Sequence, residues 1–175
     1  MATIHQDCMT ITLNQATPAD IPRIRELAHR IWRVHYPPII GEQQVEYMLG
    51  LNYDLESLQR QMEKEAQIFW LVMEAEDVLG FVAVSDQGEG VYFIHKFYLD
   101  NEIRGRGLGK RVFDLLLEKY LALREFRLTV NRQNYKSINF YFRIGFTIER
   151  CIDIPIGEGY VMSDFLMLFT IDGRR

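Results

Sequence analysis

The stretch from Phe97 to Lys110, Phe-Tyr-Leu-Asp-Asn-Glu-Ile-Arg-Gly-Arg-Gly-Leu-Gly-Lys, constrains this chain more than any other. An apolar strand runs into a basic, glycine-rich turn and then directly into an amphipathic helix predicted to begin near Arg106. The first amides of a helix have no partners within it. Gly105, Gly107 and Gly109 allow a tight bend and a close approach of the backbone to a ligand. Arg104, Arg106 and Lys110 gather three cations at the positive end of the helix dipole, which makes the segment a phosphate cradle. Taken alone, the same residues also describe a glycine-rich helix start with solvated cations. The spacing matches neither a Walker loop, Gly-x-x-x-x-Gly-Lys-Ser/Thr, nor a dinucleotide-binding Gly-x-Gly-x-x-Gly.

The flanking segments give an order of elements. Met9 to Gln15 alternates β-branched and polar residues and predicts a strand. Thr17-Pro18-Ala19-Asp20 supplies a cap, a first-turn proline and an acid for a helix reaching about His35, with Ile21, Ile24, Leu27, Ala28, Ile31 and Trp32 on its apolar face. Tyr36-Pro-Pro-Ile-Ile-Gly41 predicts a break. Residues 42–65 read as helix in two pieces that separate around Asn52 to Asp54, with Asp54 capping the second. Gln67–Met73 and Val78–Ser85 predict an antiparallel hairpin, and Val91–Leu99 the next strand. A helix over Leu108–Leu121, a strand over Phe126–Val130, a helix over Tyr135–Arg143 and a closing strand pair over Phe146–Ile154 and Tyr160–Ile171 complete the order β-α-α-β-β-β-α-β-α-β-β, an α/β (α+β) arrangement.

With 175 residues, 48% of them hydrophobic and 13% aromatic, the chain is expected to form a single domain, 1–175, with a substantial core. No run approaches a membrane span, and the N-terminus lacks a charged leader followed by an apolar stretch, so the expected location is cytoplasmic, without membrane partners. Cys8, with His5 nearby, and Cys151 suggest neither a zinc site nor a disulfide framework, and no metal is expected. A formal net charge of −4 argues against nucleic acid as a partner.

The pattern Arg-x-x-Gly-x-Gly at Arg104, Gly107 and Gly109 resembles the coenzyme A signature of the GNAT superfamily of N-acetyltransferases. About 20 residues downstream, Asn134-Tyr-Lys-Ser137-Ile-Asn-Phe140-Tyr141-Phe-Arg-Ile-Gly145-Phe146 is similar to a second motif of that family, with Ser137 where alanine is usual. The predicted order matches the GNAT fold, a mixed central sheet of about seven strands with helices on both faces. Gly41 to Leu49, His95 to Leu99 and Gly157 to Phe165 look similar to a bacterial subgroup that includes PaiA-type polyamine acetyltransferases.

The resemblance implies acetyl-CoA as cosubstrate and a small-molecule primary amine as acceptor, with a polyamine ahead of amino acids, aminoglycosides or protein N-termini. Homodimers are common in the family. By resemblance, the main chain of Phe97, Tyr98 and Leu99 pairs with the pantetheine arm, and amides from Arg104 through Gly105, Arg106, Gly107, Leu108 and Gly109 to Lys110 take the pyrophosphate. Tyr141 matches the tyrosine that protonates the leaving thiolate; ordinary values near ~10 for a phenol and ~8.5 for a thiol put that transfer only about 1.5 uphill. Asn134 and Asn131 match cofactor-contacting asparagines, although either also serves as a cap or turn residue. His95 is a candidate base because its ordinary pKa is near neutral, and equally a packed strand histidine. Tyr36, Glu42, Asp153, Glu158 and Asp164 are candidates for the acceptor pocket, since a cationic amine calls for carboxylates and aromatic faces. A non-catalytic acyl-CoA sensor and a nucleotide-binding module are the competing classes.

Overall fold

The computed structural model describes residues 10–103 and 107–171. Strand β1 (Ile11–Gln15) leads into a single 3-10 turn, Pro18–Asp20, and then into α1 (Ile21–His35). The Asp20 carboxylate accepts from the Thr17 N–H at 2.8 Å and from its hydroxyl at 3.0 Å, fixing the angle at which the chain enters the helix. The six apolar positions read from the sequence form the buried stripe of α1. The expected break falls at Tyr36, where α1 ends, and the segment beyond it forms a one-turn helix, α2 (Pro37–Ile40), that ends at Gly41 with φ +82°. Prolines in a first turn sacrifice no helical hydrogen bond, which is why the two prolines start this turn as well as end α1. Helices α3 (Glu42–Tyr53) and α4 (Leu55–Glu63) divide at Asp54, whose Oδ1 accepts from the Ser57 N–H at 2.6 Å.

The remaining elements are β2 (Ile68–Glu74), β3 (Asp77–Asp86), β4 (Val91–Leu99), α5 (Leu108–Lys119), β5 (Glu125–Asn131), α6 (Tyr135–Ile144), β6 (Thr147–Gly157) and β7 (Tyr160–Thr170). Seven strands form one sheet in the order β1-β2-β3-β4-β5-β7-β6. Only β4 and β5 run parallel, and they pair over just four positions, Val91–Ile94 against Glu125–Leu128. Beyond these the two strands continue without pairing, so the sheet opens into a gap between His95–Leu99 and Thr129–Asn131. A β-bulge assists the parting: Ala83 pairs with Lys96 and Val84 with Ile94, leaving His95 as the extra residue of β4.

Each face of the sheet carries its own core. On one, Val112, Phe113 and Leu116 of α5 and Ile138 of α6 pack with Phe126, Leu128, Met167 and Phe169. On the other, Ile24, Ile31, Leu49 and Leu58 of α1, α3 and α4 pack with Phe69, Phe81 and Ala83. Alternation along β5 sends Phe126, Leu128 and Val130 into the first core and leaves Thr129 and Asn131 on the opposite face. The edge strand β6 is exposed along most of its length, and its pairing with β7 shifts register twice, at Ile148/Arg150 and at Pro155/Gly157.

Candidate active site

Two cavities meet at the gap between β4 and β5. A cavity of about 420 Å³ is lined by Trp32, Tyr36, Tyr53, Gln61, His95, Lys96, Tyr98, Asn131, Asn134 and Asp164. A second, of about 500 Å³, lies against the starts of α5 and α6 and is lined by Leu99, Ile103, Gly107, Leu108, Gly109, Lys110, Lys136, Phe140 and Arg143. Phe97, Ser137 and Tyr141 line both. A molecule filling the second cavity would therefore present one end to the first at Tyr141.

The second cavity fits a phosphate-bearing arm. Gly107 caps α5 in the left-handed conformation, φ +68°, and the first bond back into the helix is from the Arg111 N–H to the Gly107 carbonyl, at 3.2 Å. The N–H groups of Leu108, Gly109 and Lys110 thus point out of the helix start. Arg104, Gly105 and Arg106 lie outside the described residues. Gly109 has a packing role beside its place in the lining: a Cβ there would come within 2.8 Å of the Phe140 ring, so its absence lets α5 and α6 approach. The Lys110 ammonium is paired with Asp114 at 2.6 Å, one turn on, and must leave that exposed pair to meet a phosphate. Lys136 and Arg143 line the same cavity and supply two further cations that the sequence reading did not pick out. On β4, Phe97, Tyr98 and Leu99 pair with Val82, Phe81 and Gly80 on one side, and their other backbone edge faces the gap. Polar atoms along such an edge suit the amides of a pantetheine arm.

Tyr141 is buried against the rings of Phe97, Phe140 and Phe146. Burial pushes its phenol well above the ordinary value, and nearby Tyr36 adds to the rise. The uphill step of about 1.5 inferred from unperturbed groups is therefore too small. The environment keeps Tyr141 protonated, as a hydrogen-bond donor at the junction of the cavities. Asn134 caps α6, its Oδ1 accepting from the Ser137 N–H at 3.3 Å, and Asn131 closes a turn through its Oδ1 and the Gln133 N–H at 2.9 Å. Both side chains carry the cap or turn role, while both residues line the first cavity.

In that cavity the rings of Tyr53 and Tyr36 flank that of Tyr98, with centroids 6.4 Å and 6.5 Å from it. The bulge residue His95 bonds Ser85 Oγ through Nε2 at 2.7 Å, and Gln87 Nε2 reaches the same Oγ at 2.7 Å. Desolvation of the ring, reinforced by the neighbouring Lys96 ammonium, pushes the His95 pKa down to about 4, which leaves it neutral and a weak base at physiological pH. Asp164 is 4% exposed and lies opposite Asn131 in the sheet. Burial pushes its carboxyl up to about 6, with Asp153 adding to the rise, while a bond to Thr129 and the Arg132 charge oppose it. Of the five acceptor candidates, Tyr36 and Asp164 line the cavity; Glu42, Asp153 and Glu158 do not. Those three are exposed, and Asp153 is paired with Arg132. The most unusual group in the cavity, Lys96, was not anticipated: it is buried, and alternation along β4 gave no signal of that. Among the described residues there is no cluster of His, Cys, Asp or Glu able to hold a metal ion, and no helix long and apolar enough to cross a membrane.

An opened sheet with the unpaired amides of a helix start on one side and a second cavity on the other suits an acyltransferase. The model of the Acetyltransferase (GNAT) family matches residues 22–146, and the chain belongs to that family. It is 32% identical over 109 residues, 61% of this chain and 68% of the relative, to the peptidyl-lysine N-acetyltransferase YjaB of Escherichia coli K12. Among solved structures it is similar to PaiA N-acetyltransferase from Thermoplasma acidophilum in complex with coenzyme A, with a TM-score of 0.74 and 24% identity, covering 93% of this chain and 99% of that one. Ard1 from Thermoplasma volcanium is similar at TM-score 0.68 and 21% identity, covering 92% and 97%. The chain is an N-acetyltransferase of mixed α/β fold, as its two motifs imply.

Proposed function

We propose that this enzyme transfers the acetyl group of acetyl-CoA to the primary amine of a small molecule, by direct transfer in a ternary complex, in the cytoplasm. The observation that carries the reading is the meeting of the two cavities at Phe97, Ser137 and Tyr141 through the gap between β4 and β5. Bound acetyl-CoA supplies an activated acyl group in the form of a thioester. The amides that open α5, with Lys136, Arg143 and Lys110, hold the pyrophosphate. The free edge of Phe97–Leu99 orients the arm and donates to the carbonyl oxygen as charge gathers there. The Tyr141 hydroxyl donates a hydrogen bond at the place of the departing sulfur. On the acceptor side, Asp164 is the group able to receive the ammonium proton, directly or through water, and Tyr36 flanks the incoming amine.

The subgroup resemblance points to a polyamine. The relationship to a protein named as a peptidyl-lysine acetyltransferase supports a second reading, in which the amine is a lysine side chain of a peptide. The test is thiol release from acetyl-CoA with polyamines, amino acids, aminoglycosides and lysine peptides, alongside calorimetry of acetyl-CoA binding. Turnover on an amine supports the reading. Tight acetyl-CoA binding without thiol release on any amine would overturn it in favour of a sensor.

A further inference from the structure

We infer that the acceptor carries an anionic group, in its simplest form a carboxylate, that pairs with Lys96, beside an N–H or O–H that donates to Gln61 Oε1 in the same cavity; this deepens the transferase reading and rests on it. Lys96 is 7% exposed, and its Nζ lies 5.5 Å and 5.4 Å from the ring centroids of Tyr53 and Phe69. Its hydrogen bond in the structure is a long one, 3.4 Å to Gln67 Oε1, which leaves two of the three ammonium donors unused. It makes no ion pair among the described residues. The carboxylate of Glu65 is engaged elsewhere, Oε1 with Arg60 Nε at 3.2 Å and Oε2 with Gln67 Nε2 at 3.1 Å, so it acts on Lys96 through space without forming an ion pair with it. A buried charge without a direct counter-ion is costly unless a partner arrives.

A second orphan lines the same cavity. Gln61 is 4% exposed; its Nε2 donates to the Asn52 carbonyl at 2.9 Å, and its Oε1 has no partner. Spare cationic donors and a buried acceptor in one cavity match a ligand that combines a carboxylate with an N–H or O–H, as an amino acid or a peptide terminus does. A polyamine presents the opposite: its second ammonium would meet the like charge of Lys96, where the nearby Glu65 carboxylate is already bonded to Arg60 and Gln67.

Pairs of amines that differ only by the carboxylate test this directly: L-lysine with cadaverine, L-ornithine with putrescine, L-phenylalanine with phenethylamine. For at least one pair the carboxylated partner should show a kcat/KM higher by about tenfold to a hundredfold, the yield of one charge-assisted hydrogen bond. Lys96→Met should abolish that preference by raising KM for the carboxylated partner, and Lys96→Arg should keep part of it. Turnover confined to the decarboxylated amines, or a preference that survives Lys96→Met, would overturn the inference and leave the transferase reading standing. Absence of thiol release on every amine would remove both. The wild-type comparison needs no variant, so a folding defect in Lys96→Met cannot shelter the idea.

Discussion

Replacing Lys96 with Met should make the free protein more stable while harming its function. Burial pushes the Lys96 ammonium from its ordinary 10.5 down to about 8, with Glu65 opposing the fall. A fall of about 2.5 corresponds to roughly 3 kcal/mol against the charged form at neutral pH. The ring contacts of the ammonium with Tyr53 and Phe69 would be lost, at about 0.5–1 kcal/mol each, while Met keeps the packing of the apolar stem. The net expectation is a gain of about 1–2 kcal/mol, or a rise in Tm of roughly 2–8 °C for a chain of this size. Its pH dependence has a definite sign. The folded pKa lies below the unfolded one, so between about 8 and 10.5 the unfolded chain binds more protons, and wild type gains stability as pH rises through that window. The advantage of the variant is therefore full below about 8 and fades toward 10.5. The groups facing the ammonium are Glu65 and Gln67 from the segment between α4 and β2, Tyr53 from α3, Phe69 from β2 and His95 on its own strand. Urea unfolding of both proteins near pH 7 and near pH 10, compared at equal m, reads the effect. A Lys96→Met midpoint equal to or below wild type at the lower pH would show that the ammonium is not desolvated, and the reasoning would fail.

Tyr141→Phe should lower kcat by about 10²-fold, in the lower range for loss of a proton donor, with KM for acetyl-CoA near native; steady-state kinetics showing undiminished kcat would remove Tyr141 from the chemistry. Asp164→Asn should raise the acceptor KM with little effect on acetyl-CoA. Because the folded pKa of Asp164 is raised from 3.8 to about 6, its contribution to stability is present below the lower value and is lost as pH rises through the higher one. Thermal unfolding should accordingly find wild type losing stability between about pH 4 and 6 relative to the Asn variant, and parallel curves would contradict this. Gly109→Ala brings a methyl within 2.8 Å of the Phe140 ring, so an overpacking cost of about 1–3 kcal/mol and weaker acetyl-CoA binding by calorimetry are expected.

The parts of the fold that demand particular residue types were legible in the sequence. Gly107 is required by a left-handed cap, the α6 motif by close helix packing, and the α1 stripe by a core on one face. Asp54 was readable as a cap because only a short polar side chain can reach back to the Ser57 N–H. The prolines at Pro37 and Pro38 marked the end of α1 but not the helical turn beyond it, because the same ring that ends one helix can open another. The His95 bulge was not legible, since it is a property of register between β3 and β4 rather than of either strand. For the same reason the burial of Lys96 was hidden: its enclosing rings come from Tyr53 and Phe69, brought over it by α3 and β2. Charge type alone could not separate Asp164, which faces the cavity, from Glu42 and Glu158, which face solvent.

The outermost strand decides how this molecule behaves in a crowd of its own copies. Strand β6 is eleven residues long, carries Ile148 and Ile154 on its surface and, among the described residues, has no eighth strand beside it, the profile of a template for uncontrolled sheet growth. Its two register shifts interrupt that template, since the row of outward N–H and C=O groups is out of step at Glu149 and again at Ile156. Pro155 removes one donor outright, and Glu149, Arg150 and Asp153 would bring charge into any strand laid alongside. The irregularities of β6 thus blunt the exposed edge against pairing with a strand of another copy.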